Sequence, residues 1–152
     1  MSRKLKSLTA TVFFIGHIPG APGTFASIAA AAAFIAAGMP AGALGLGAAL
    51  ALALVGLWAA SGAEGIFGES DPKPVVIDEV AGMWLALVVG GARGMPAVAG
   101  VFVIFRLLDA LKPFGIRRIE RLGGAPGIMA DDLAAGVLSG AVVRLLQYFQ
   151  VF

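Results

Sequence analysis

Apolar runs separated by short polar stretches constrain this chain more than any other feature of its sequence. Five stand out: Phe25 to Gly38, Gly42 to Ser61, Val80 to Gly91, Pro96 to Leu111, and Leu133 to Phe152, the last interrupted by Arg144. They are rich in Ala and Leu, lack period-2 alternation and are too few to close a barrel, so helices are predicted rather than strands. Only Gly42 to Ser61 approaches the length that spans a bilayer core comfortably. A helix from Asp78 to Gly91 would cover about 20 Å, short of the ~30 Å of hydrocarbon. Tilted neighbours, local thinning or helix starts below the headgroups would accommodate it. The last option would hold Asp78 and Glu79 at the depth of lipid phosphates. The expected fold is all-α: an integral membrane bundle of about five short helices, one domain over residues 1–152, with polar loops on the cytoplasmic face.

Composition points the same way. Hydrophobic residues make up 59% of the 152 and charged residues 13%, about half the charge of an ordinary soluble domain. The polar outer face of a soluble bundle cannot be built from so little. The net charge of +2 comes from basic residues flanking apolar runs, which suits headgroup anchoring and not nucleic-acid binding. The chain has no cysteine, which excludes disulfides, thiol catalysis and thiolate metal sites. Arg3, Lys4 and Lys6 precede an apolar stretch, as in a signal peptide. Gly16, His17, Pro19, Gly20, Pro22 and Gly23 soon break it, so it is read as retained.

If the segments alternate across the membrane, one side holds the N-terminus, the loop Ala63 to Ile77 and the loop Lys112 to Ala130. That side receives Lys73, Lys112, Arg117, Arg118 and Arg121 as well as the N-terminal cations, with Arg106 just inside, while the other receives Arg93. The crowded side is cytoplasmic by the positive-inside rule. All nine acids fall on that side too: Glu64, Glu69, Asp71, Asp78, Glu79, Asp109, Glu120, Asp131 and Asp132.

Asp78 and Asp132 sit at expected helix starts, where a carboxylate caps free N–H groups. As a set, however, Asp78-Glu79 and Asp131-Asp132 are two acidic pairs, each directly before an apolar helix. Two such pairs repel when brought together unless a cation lies between them. Mg²⁺ prefers oxygen ligands and keeps waters, which leaves room for a phosphate oxygen. Such an ion polarises phosphorus, neutralises developing charge and activates water. Arg106, Asp109 and Lys112 recur every third residue and share a helix face that ends before Pro113. They form either an ion pair with a snorkelling lysine, or a catalytic acid with phosphate-binding cations. The Pro/Gly-rich loop Gly16 to Ser27 opens a helix and could offer N–H groups and the Thr24 and Ser27 hydroxyls to an anion. His17, the lone histidine, is a minor candidate for general acid. Small residues at Ala43, Gly47 and Ala51, and at Gly136 and Gly140, have the spacing of close helix packing.

In order along the chain, Pro19 to Ser27 (PGAPGTFAS), Asp71 to Trp84 (DPKPVVIDEVAGMW), Phe105 to Pro113 (FRLLDALKP) and Gly123 to Gly136 (GGAPGIMADDLAAG) resemble the phosphatidylglycerophosphatase A family. The resemblance runs from about Gly16 to Gly140. It implies a multi-pass, Mg²⁺-dependent lipid phosphatase of the bacterial inner membrane, its site facing the cytoplasm, that converts phosphatidylglycerophosphate to phosphatidylglycerol in phospholipid biosynthesis. The motif acids would map to Asp71, Asp78, Glu79, Asp109, Asp131 and Asp132, with Arg106 and Lys112 as basic partners and Gly23, Thr24 and Ser27 in the substrate loop. Asp78, Glu79, Asp131 and Asp132 are then the expected metal ligands, and Asp71, Asp109, Arg106 and Lys112 the catalytic groups. Two departures stand out. Ala26 occupies a position that is commonly glycine, and Gly124 is followed by Ala125-Pro126-Gly127 where the family usually reads Gly-Gly-x-Gly.

Two rivals remain. A phospho-alcohol transferase would need a longer acidic motif within one helix–loop segment, which is not found. An ion-binding or transport protein would favour ionisable groups near the midplane, whereas these acids gather at one edge.

Overall fold

The computed structural model describes residues 2–69, 72–113, 115, 116 and 122–150. Among these the chain forms seven α-helices and one 3-10 turn, with no strand: α1 Ser2–Ala10, the turn Ile15–His17, α2 Pro22–Ala36, α3 Gly42–Ala60, α4 Ala63–Phe67, α5 Ile77–Val89, α6 Gly94–Leu111 and α7 Gly124–Tyr148. The five apolar runs lie in α2, α3, α5, α6 and α7. The expected count of about five falls short because α1 is a polar, basic helix and α4 is a short one, and neither is an apolar run.

Local signals explain most boundaries. Pro22 opens α2, where its missing N–H costs nothing. α6 ends at Leu111, before Lys112-Pro113, as a following proline demands. Lys112 caps it in left-handed backbone angles (φ 46°) and not in the extended conformation usual before proline. The start of α7 differs from expectation. The helix begins at Gly124, admitted by the positive φ of Gly123 (69°), and Pro126 is tolerated in its first turn. Asp131 and Asp132 are therefore about two turns inside the helix. Asp132 is no helix cap, whereas Asp78 does occupy the first turn of α5.

α5 is the buried centre. Val80, Ala81, Met83, Ala86 and Leu87 are enclosed on several sides, which is why it is apolar all round. Its packing on α7 is backbone-close. A Cβ on Gly82 would lie 2.6 Å from the Asp132 carbonyl oxygen, and one on Gly140 2.6 Å from Val89 Cβ. Phe34 of α2 meets Trp84 of α5 edge-on, with ring centroids 5.3 Å apart. Gly47, by contrast, faces open space.

α3 and α6 are long and apolar enough to cross a membrane, yet only 28% and 22% of their apolar windows are buried. Leu44, Leu50 and Leu54 on α3, and Val103 and Leu107 on α6, point outward. Core helices of a soluble protein would be covered. These two carry their apolar surface on the outside of the bundle.

Candidate active site

At one end of the bundle, the start of α2, the start of α5, the end of α6 and the first turns of α7 surround a cavity of about 550 Å³. Asp78, Glu79, Asp109, Asp131 and Asp132 all line it, with Arg106 and Lys112. Five acids from three helices therefore converge, as the charge pattern implied. Glu64 and Glu69 are exposed and do not line the cavity.

Three of the five form a tight group. One carboxylate oxygen from each of Asp78, Glu79 and Asp132 lies within 4.8 Å of the others. Asp78 Oδ1, Glu79 Oε2 and Asp132 Oδ2 are buried without a hydrogen-bond partner among the described residues. Burying such oxygens uncompensated is costly. Burial is also the main force raising the Asp78 and Asp132 carboxyls well above the usual carboxylate range. Like charge adds to it, from Glu79 on Asp78, and from Asp109 and Glu79 on Asp132. Glu79 is raised too, again chiefly by burial. All three residues lie outside α3 and α6. The group fits a hard divalent cation: Mg²⁺ binds oxygens at about 2.1 Å, so ligands around it are roughly 3–4 Å apart.

Asp131, expected as a fourth ligand, lines the cavity but is not part of this group of three. Its Oδ2 pairs with Lys112 Nζ at 2.7 Å, and its Oδ1 accepts the Asp132 N–H at 3.0 Å. Arg106 Nη1 pairs with Asp109 Oδ2 at 2.8 Å. The Arg106–Asp109 ion pair is thus present, but Lys112 does not snorkel: it pairs with Asp131, and all three α6 residues line the cavity.

The first loop contributes backbone. Gly20, Ala21, Pro22 and Gly23 line the wall. Gly23 is pressed against the Glu79 carboxylate, and any Cβ there would collide with Oε1. Thr24 is not part of the wall. Ser27 is fully buried, and its hydroxyl donates to the Gly23 carbonyl at 2.9 Å, so it holds the helix start together and does not face the cavity. His17 is exposed at the end of the 3-10 turn, beside the Phe14 ring. Asp71 lies outside the described residues, as do Arg117, Arg118, Glu120 and Arg121. Pro72 and Lys73, which follow Asp71, do reach the cavity. Lys73 was missed as a site residue, and its one signal was its place inside the DPKP motif.

The family model for phosphatidylglycerophosphatase A matches residues 8–147. A Bacteroides thetaiotaomicron protein, provisionally named a phosphatidylinositol-3-phosphatase, is 37% identical over 95% of this chain and 94% of its own length. Phosphatidylglycerophosphatase A of Escherichia coli is 41% identical over 52% of this chain and 46% of that protein. The Haemophilus influenzae protein of the same name is 34% identical over 55% and 52%. Each of these last two alignments spans about half of the relative. No solved structure matches the chain.

Proposed function

The chain belongs to the phosphatidylglycerophosphatase A family and is a phosphatase, and from that premise we propose that it removes the terminal phosphate of phosphatidylglycerophosphate at the cytoplasmic face of a bacterial inner membrane. The observation that carries this reading is the buried group of three carboxylates from α5 and α7, beside a basic rim, in one cavity. In this proposal α3 and α6 cross the bilayer, and the cation-rich end of the bundle faces the cytoplasm.

Asp78, Glu79 and Asp132 would hold Mg²⁺, which when bound neutralises charge on the phosphoryl group and lowers the pKa of water. Arg106 and Lys112, steadied by Asp109 and Asp131, orient the phosphate oxygens. Loop residues Gly20 to Gly23 close one side of the cavity and fix Glu79 in place. Hydrolysis forms a P–O bond to water and breaks the bond to the glycerol oxygen, which takes up a proton. In this proposal Asp109, which lines the cavity, takes the proton of the attacking water through the carboxylate oxygen not paired with Arg106. An aspartyl-phosphate on Asp109 or Asp71 is the covalent variant.

A second substrate is favoured by the Bacteroides relative, similar over nearly its whole length and named for phosphatidylinositol 3-phosphate. Purified chain in detergent micelles, given each lipid with Mg²⁺ or with a chelator, separates the two. Metal-dependent phosphate release from phosphatidylglycerophosphate is expected, falling at least ~100-fold in Asp78→Asn and in Asp132→Asn. Near wild-type release in both folded variants would overturn the site. Faster release from the inositol lipid would reassign the substrate.

A further inference from the structure

A second cavity, of about 510 Å³, lies between α1 and α4 and shares no wall residue with the acidic one. Arg3, Lys4 and Ser7 form its polar side, and Leu8, Phe14 and Ile66 its apolar side. Among the described residues no acid lines it, and Arg3 and Lys4 are exposed and make no ion pair. α1 is tied to the end of α3: Lys6 Nζ donates to Ser61 Oγ at 2.8 Å and sits 5.6 Å from the Trp58 ring centre. The Ala10 carbonyl accepts the Val76 N–H at 2.9 Å. Trp58, in the last turn of a helix able to cross a bilayer, is 42% exposed, and tryptophan at such a position marks headgroup depth. Phe13, next in the chain to the lining residue Phe14, is 76% exposed.

We propose that this groove binds an anionic phospholipid, its headgroup phosphate between Arg3 and Lys4 and its acyl chain along Leu8, Phe14 and Ile66. Among the described residues the wall carries two cations and no carboxylate, so it matches a net negative headgroup better than a choline or ethanolamine ammonium. Its apolar half distinguishes a lipid from free phosphate. The proposal rests on the membrane reading but not on the acidic cavity, so a chain that releases no phosphate can still hold this lipid.

The test is native mass spectrometry of the full chain from micelles doped with phosphatidylglycerol or phosphatidylcholine. Retained phosphatidylglycerol is expected to fall about 10- to 30-fold in R3Q/K4Q, and to be unchanged in R93Q, which removes a cation far from the groove. Equal retention in R3Q/K4Q, an equal loss in R93Q, or equal retention of phosphatidylcholine would each overturn the proposal. Displacement by an equimolar amount of inorganic phosphate would overturn the lipid assignment as well.

Discussion

At Gly23 the absence of a side chain lets the first loop press on the Glu79 carboxylate, and this contact joins a backbone feature to the acidic group. Glu79 meets it with the end of a flexible side chain, so a Cβ there displaces the carboxylate and leaves the helices in place. Gly23→Ala is therefore expected to lower phosphate release at least ~10-fold, since small misplacements at a reacting centre cost that much or more, with little change in melting temperature. Ser27→Ala removes only a hydroxyl bonded within its own helix, at a cost of about 1 kcal/mol. Steady-state release and thermal unfolding of both variants check the pair. A Gly23→Ala enzyme of normal turnover would show that Glu79 needs no fixed position.

At the scale of elements, the α5–α7 contact sets the distance between Asp78 and Asp132. Gly82 lies under the Asp132 carbonyl, and Gly136 lies against the Gly82 carbonyl. Backbone on both sides leaves little to give, so Gly82→Ala is expected to destabilise by about 1–3 kcal/mol and to lower turnover by spreading the carboxylates. Gly47→Ala, which adds its Cβ into open space on α3, is the control. It should be neutral or stabilising by about 0.5–1 kcal/mol. Equal melting temperatures for the two variants would refute this account of the crossing. The four-residue spacing of small residues was legible for Gly136 and Gly140, which do pack closely. Gly47 packs against nothing among the described residues: spacing on one helix carries no record of which face a neighbour covers. That Asp132 joins the gathered acids was legible, but not that it lies within a helix. The glycines and proline before it read as a loop, and only the fold shows them to be a helix entry.

Across the whole molecule, the gathering of acids was legible because alternation across a membrane and the sidedness of charge need no side-chain geometry. The division of labour among them was not. Asp131 turns to Lys112 while its neighbour Asp132 joins Asp78 and Glu79, a split that depends on helix rotation about a shared cavity. The same split makes the fold sensitive to cations. Three buried carboxylates with unpartnered oxygens oppose one another in the absence of an ion, and a cation bound by the folded state alone stabilises it, by about 2.7 kcal/mol at a hundred times its dissociation constant. Added Mg²⁺ should therefore raise the melting temperature of the wild-type chain by several degrees and protect it from proteolysis. The double variant Asp78→Asn/Asp132→Asn should melt higher than wild type under chelator, because two of the opposing charges are gone, and should respond little to Mg²⁺. An identical Mg²⁺ shift in the two proteins would place the ion elsewhere and leave the acidic group without its counter-charge.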